Sequence, residues 1–189
     1  MTRIVAGSAK GHQLKVPPRG TRPTSERVRE GLFSRLEHYG YIQGCNVLDL
    51  FGGTGAIALE AKSRGAANVV CVENAPSAIN TIRTNIRATG LDIRLATQSV
   101  ESYLSGPPEY AWDLVFLDPP YAFADDALDQ LLERLVPYLA DDALVVVERD
   151  KKSPEPHWPG GLVQDDDRRW GDTRVWSAVV GESRNTLAT

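Results

Sequence analysis

Apolar residues follow two rhythms along this chain. From residue 45 onward, short continuous apolar runs at 46–51, 68–73, 92–96, 112–117 and 143–148 alternate with segments of helical period. Residues 56–63 form one such segment. A second opens at Pro76, carries Ile79, Ile82 and Ile86 on one face and stops at Gly90. A third, 124–139, carries Leu128, Leu131, Leu132, Leu135 and Leu139 and is expected to bend at Pro137. Continuous apolar strands alternating with helices predict a parallel sheet covered on both faces, an α/β fold.

The ends of the chain break this rhythm. Residues 3–16 alternate around a turn at 8–11, which predicts a small β-hairpin. Val28, Leu32 and Leu36 then mark an amphipathic helix over 24–39, with Arg27 and Glu30 on its polar side. Beyond Glu148, three prolines and two glycines in 151–161 argue against another crossover helix. Segments 162–170 and 173–180 read as strands joined at Gly171-Asp172, where glycine at the first turn position suits a type II′ hairpin. The expected organisation is a basic hairpin extension (1–20), one α/β domain (21–181) and a fraying tail (182–189).

With 189 residues, 42% of them hydrophobic, the chain has enough material for one self-sufficient core. Two cysteines, Cys45 and Cys71, cannot form a disulfide framework, and three scattered histidines give no zinc spacing, so no metal is expected. Cys45 stands at the start of one apolar run and Cys71 lies within another, and both read as small buried side chains. No apolar run approaches the roughly 18 residues of a membrane span, and the N-terminus lacks a signal-peptide core. A soluble, cytoplasmic, monomeric protein is the expectation. The net charge of −4 conceals a segregation: residues 1–35 carry eight basic and two acidic residues, while the remainder carries a net −10. A +6 end on an acidic body points to a polyanion met from one side.

Two motifs carry candidate chemistry. The first is Val47-Leu48-Asp49-Leu50-Phe51-Gly52-Gly53-Thr54-Gly55, a strand running into a glycine turn and a helix N-terminus. Residues 53–58 alone satisfy the dinucleotide pattern G-x-G-x-x-[GA], and Glu73, about 20 residues on, suits a ribose in either reading. Asp49 discriminates: a pyrophosphate wants no carboxylate there, whereas a sulfonium cofactor bearing an amine does. The second motif is Asp118-Pro119-Pro120-Tyr121 at the end of the fourth strand. Two prolines remove donors and stiffen the chain, leaving carbonyls and the Asp118 carboxylate as acceptors, with the Tyr121 ring at the rim. Such a set can receive the two N–H groups of an exocyclic base amine and stack the base.

Asp49-Leu50-Phe51-Gly52-Gly53-Thr54-Gly55 and Asp118-Pro119-Pro120-Tyr121 resemble the cofactor and catalytic loops of class I S-adenosylmethionine-dependent amino-methyltransferases. Residues 22–30, 59–66 and Gly171-Asp172-Thr173-Arg174 are similar to the RsmD family of bacterial 16S rRNA guanine-N2 methyltransferases. The resemblance implies a Rossmann-like, mostly parallel seven-stranded sheet with an antiparallel C-terminal hairpin and a small N-terminal hairpin. It implies S-adenosylmethionine as cofactor and 16S rRNA, or a small-subunit assembly particle, as partner, with guanine 966 as target. Asp118, Pro119, Pro120 and Tyr121 become the catalytic set. Asp49, Phe51, Gly52, Gly53, Gly55, Glu73, Asn74, Gln98, Ser99 and Thr24 become the cofactor set. Arg3, Lys10, Lys15, Arg19, Arg22 and Arg27 become the RNA contacts. Other readings stand beside this one: a DNA or RNA methyltransferase acting on adenine or cytosine amines, a nicotinamide oxidoreductase, or an idle RNA-binding module. His157 and Trp158, in the proline-rich loop, read as an idle histidine and a packed indole.

Overall fold

The computed structural model describes residues 2–18 and 24–181; Arg19 and Arg22, both candidate RNA contacts, and the tail 182–189 lie outside the described residues. In chain order the elements are β1 (Thr2–Arg3), β2 (Gln13–Leu14), α1 (Glu26–His38), β3 (Asn46–Asp49), α2 (Ala56–Ser63), β4 (Asn68–Val72) and α3 (Pro76–Thr89). Then come β5 (Arg94–Ala96), α4 (Val100–Tyr103), β6 (Trp112–Leu117), α5 (Asp125–Leu135), β7 (Leu139–Asp150), β8 (Leu162–Trp170) and β9 (Thr173–Val180).

Seven strands form one sheet in the order β5-β4-β3-β6-β7-β9-β8. The first five run parallel, and β9 pairs antiparallel with both β7 and β8. Alternate residues of each strand enter opposite cores. Val47, Leu114, Phe116, Leu144 and Val146 pack with Leu32, Phe33 and Leu36 of α1, Leu59 of α2 and Ile82 of α3. Leu48, Val115, Leu117, Val145 and Val147 pack against Leu128, Leu131, Leu132 and Leu135 of α5. This double burial is why the strands read as continuous apolar runs.

Element limits follow local chemistry. Ser25 caps α1, its Oγ accepting from the Val28 N–H at 3.2 Å. Helix α5 stops at Leu135 and passes into a 3-10 turn, Val136–Tyr138, because Pro137 cannot continue the α ladder. Strand β7 exceeds the sequence estimate at both ends: Leu139 pairs with Trp112 of β6, and β9 accompanies it out to the Asp150–Thr173 pair. Gly171 has φ +59° while Asp172 does not adopt positive φ, consistent with a type II′ turn. The single turn α4 is too short for its four residues to display a helical period in sequence.

The N-terminal hairpin is stitched to the body. Among the described residues two pairs form its ladder, Thr2–Leu14 and Arg3–Gln13. Ile4, Ala9 and Leu14 are buried in the α1/α2/α3 core. The Val5 and Ala6 N–H groups donate to the Glu60 carboxylate at 2.9 and 3.0 Å. Glu60, fully buried on α2, also takes Arg64 Nε at 2.8 Å and faces Arg29 Nε of α1 at 3.5 Å. Arg29 in turn donates to Thr2 Oγ1 and the Arg3 carbonyl. Asn85 of α3 clasps Lys15, accepting its N–H at 2.8 Å and donating to its carbonyl at 3.0 Å. Among the described residues, no helix is long and apolar enough to cross a membrane.

Candidate active site

Sheet order brings three acids together. The chain leaves β3 toward β4 on one side, while β6 lies on the other, so a crevice opens at the carboxyl ends of β3 and β6. Asp49 ends β3 opposite Phe116 of β6. Asp118 and Glu148 follow the paired residues Leu117 and Val147, which places them side by side. Thr24, at the entry to α1, bridges them: its hydroxyl lies 2.9 Å from Glu148 Oε2 and 3.3 Å from Asp118 Oδ2.

The surroundings penalise charge on all three. Burial lifts Asp118 to about 6, against the Thr24 hydrogen bond and the positive charge of Arg149. Burial, then the negative charge of Asp118, lifts Glu148 to about 8. The two carboxyls act as a pair that holds a proton near neutral pH. Asp49 is more enclosed still, at 1% exposure. Burial, followed by the charge of Asp118, holds it well above the ordinary carboxylate range. Asp49 Oδ1 accepts the Phe51 N–H at 3.3 Å, while Oδ2 is buried with no hydrogen-bond partner among the described residues. A buried acceptor without a donor is costly, and a ligand amine would supply one.

The glycine turn is built close against β4. The Gly52 N–H donates to the Val72 carbonyl at 2.9 Å, and a Cβ on Gly52 would stand 2.5 Å from Cys71 Sγ. Gly53 and Gly55 hold φ of +57° and +79°, conformations open to glycine, and Gly55 leads into α2. Glu73, just past β4, latches the turn. Its Oε2 accepts the Gly53 N–H and its Oε1 those of Asn74 and Ala75, each at 2.9 Å. Oε2 keeps a lone pair for a further donor.

The Asp-Pro-Pro-Tyr turn is also braced. Pro119 is buried, and the Pro120 carbonyl accepts the Phe123 N–H at 2.8 Å. The Phe123 ring meets Phe51 of the glycine turn edge-on at 5.3 Å. Arg149 Nη2, from β7, donates to the Phe123 carbonyl at 2.8 Å and to Asp125 Oδ1 at 3.1 Å. Against this fixed backbone the Tyr121 ring stands 89% exposed at the rim.

The structure thus gathers Thr24, Asp49, Phe51, Gly52, Gly53, Gly55, Glu73 and residues 118–121 around one crevice, with Thr24 on the Asp118 side. Gln98 and Ser99 follow β5, the outermost strand on the β4 side. Ser99 caps α4 through the Ser102 N–H at 3.1 Å, and Gln98 Oε1 accepts from Ser102 Oγ at 3.2 Å. Among the basic residues, Arg3 pairs with Glu26 at 3.2 Å, whereas Lys10, Lys15 and Arg27 are exposed and make no salt bridge to a described residue. His157 bonds Asp129 at 2.6 Å, and Trp158 packs against the α5 core. The sequence reading missed Glu148 and Arg149. Glu148 carries the same signal as Asp118, an acid ending an apolar strand, but only strand order sets it beside the motif. A cleft of about 520 Å³, lined by Thr24, Ser25, Arg27, Val28, Glu148 and residues 169–173, opens beside this acid.

The family described as Conserved hypothetical protein 95 matches residues 2–179. Ribosomal RNA small subunit methyltransferase D of Haemophilus influenzae is 35% identical over 159 residues, covering 80% of each chain. The protein of the same name in Escherichia coli is 34% identical, over 83% of this chain and 79% of its own. The solved structure of Escherichia coli yhhF superposes with a TM-score of 0.82 at 29% identity, over 96% of this chain and 98% of that one. The expected Rossmann-like seven-stranded architecture is therefore borne out, and the chain belongs to the Conserved hypothetical protein 95 family, the RsmD family of methyltransferases.

Proposed function

We propose that this protein methylates the exocyclic N2 amine of a guanine in small-subunit ribosomal RNA, using S-adenosylmethionine; the resemblance in its motifs points to guanine 966. The observation that carries the reading is Asp118, a braced acceptor at the end of β6, facing the same crevice as the unpartnered Asp49 Oδ2. The ribosomal substrate is the one named for the relatives from Haemophilus influenzae and Escherichia coli.

The residues present fit the cofactor. Asp49 Oδ2 would take its amine, the glycine turn its methionine end, and the spare lone pair of Glu73 a ribose hydroxyl. When bound, it supplies an activated methyl on a sulfonium. This chain's residues supply the rest. A guanine amine is a weak nucleophile, because its lone pair is drawn into the ring. Asp118 and the Pro119 carbonyl, accepting its two N–H groups, turn that lone pair outward. Positive charge growing on the nitrogen meets the Asp118 carboxylate, an interaction strongest in the transition state. Asp118 Oδ then takes the proton that the nitrogen sheds. Tyr121, free at the rim, offers a stacking face to a base taken out of its helix.

The test is nucleoside analysis by mass spectrometry of small-subunit RNA incubated with the purified protein and labelled S-adenosylmethionine. N2-methylguanosine carrying the label is the expected product. Label in adenine or cytosine amines, or in none, would overturn the assignment.

A further inference from the structure

We infer that Glu148 is the guanine-selecting residue of this site, accepting the N1–H of the target base while Asp118 accepts its N2 amine. The inference rests on the function proposed above and specifies how that site chooses its base.

Three observations carry it. First, Glu148 and Asp118 follow paired residues on adjacent parallel strands and share the Thr24 hydroxyl, so they present one row of acceptors. Neighbouring strands lie about 4.8 Å apart, a span that one base edge can bridge. Second, Thr24 engages only Oε2 of Glu148; no described residue bonds Oε1. The shared proton of the acid pair belongs on the Thr24 side, where Oε2, the hydroxyl and Asp118 Oδ2 adjoin, so Oε1 remains an acceptor. Third, Glu148 lines the cleft of about 520 Å³ beside the site. Arg27 and Arg169 flank that cleft, are exposed and make no salt bridge to a described residue, which suits the phosphates on either side of a nucleotide. Trp170 of the β8–β9 hairpin forms part of the same wall.

The selectivity follows from the edges of the bases. Guanine presents N1–H beside its N2 amine, two donors in a row. Adenine and cytosine place a bare ring nitrogen beside their amines, an acceptor next to a donor. Against an acceptor pair, that ring nitrogen leaves two acceptors facing each other without a proton. A site built to hydrogen-bond one group rejects the analogue that lacks it far more strongly than an apolar pocket rejects a change of size.

The experiment uses two small-subunit RNAs, with guanine or 2-aminopurine at the target position. 2-Aminopurine keeps the N2 amine but has an acceptor at N1. Single-turnover methyl transfer is measured for the parent and for Glu148→Gln, whose amide can present either a carbonyl or an N–H to the base. The parent is expected to favour guanine by about tenfold or more, the scale for one hydrogen bond to a charged or strongly polar partner. Glu148→Gln is expected to narrow that ratio by about tenfold, because its N–H can meet the bare N1. Each ratio compares two substrates on one protein, so a change in folded fraction cancels, as does the intrinsic reactivity of the two bases between proteins. An unchanged ratio, with guanine still methylated, overturns this inference and leaves the proposed function standing. No transfer to guanine by the parent overturns both.

Discussion

Removing the Glu60 carboxylate should unfasten the N-terminal hairpin and cost more stability than most single substitutions. Its oxygens accept the Val5, Ala6 and Arg64 donors at 2.8–3.0 Å. They also lie 3.5 Å from Arg29 Nε, where both side chains are fully buried. Burial, joined by the nearby Arg64 charge, holds the Arg29 pKa down, and the Glu60 charge is the largest influence opposing it. Glu60→Ala therefore leaves a guanidinium enclosed without its counter-charge, beside two orphaned backbone donors. Breaking a buried pair from one side costs about 3–5 kcal/mol. For a chain of this size each kcal/mol moves Tm by roughly 2–4 °C, so a drop on the order of 6–20 °C is expected. Urea denaturation and thermal melting give the global value, and amide exchange gives the local one. The Val5, Ala6, Ser8 and Ala9 amides, bonded to Glu60 and Ser63, should lose protection first. A variant within about 1 kcal/mol of the parent, with those amides still protected, would refute the claim that this network ties the hairpin down.

Three further outcomes are expected. Glu73→Ala should weaken S-adenosylmethionine binding roughly 10- to 100-fold by calorimetry, because it removes the latch on Gly53, Asn74 and Ala75 together with a charged acceptor; parental affinity in a folded variant would take Glu73 out of the site. Replacing Lys10 and Lys15 by glutamine should lower RNA affinity and flatten its salt dependence by about 0.7–0.9 for each phosphate no longer neutralised, with cofactor affinity intact; an unchanged slope would make them an idle solvated face. Glu148 keeps its proton to higher pH in the folded chain than in the unfolded one, so its contribution to stability is full below the ordinary glutamate range and lost as pH rises through about 8. Glu148→Gln should therefore melt above the parent at pH 9 and no higher at pH 4, and equal melting curves at both would contradict the buried-charge assignment.

Much of the sheet was legible because its strands are buried on both faces and so appear as unbroken apolar runs. Asp49 and Asp118 stood out for the same reason, as acids in or ending such runs next to glycines or prolines. Glu148 carried half of that signal, and its partner is a neighbour only across the sheet, 30 positions away in sequence. How the hairpin is held was not legible from charge. Its basic residues, summed with those of α1, mark a cationic end, while Arg29 pairs with Glu60, Arg35 with Asp166 and Arg3 with Glu26. Arg29 sits one residue from the buried Val28 stripe, and nothing local shows that a carboxylate from α2 will meet it. The backbone donors of Val5 and Ala6 are equally silent in sequence, because any residue supplies them.

The measurement closest to the central claim is single-turnover transfer of labelled methyl to small-subunit RNA by Asp118→Ala at saturating S-adenosylmethionine, alongside cofactor affinity. Asp118 lies on the β6 side of the crevice and is assigned to the base amine. The variant should therefore bind S-adenosylmethionine within a few-fold of the parent while its transfer rate falls by about 10²–10³, the scale for losing one preorganised transition-state partner. Asp118→Asn keeps an acceptor oxygen without the charge and should fall between the two. An alanine variant that transfers methyl at the parental rate would contradict the account.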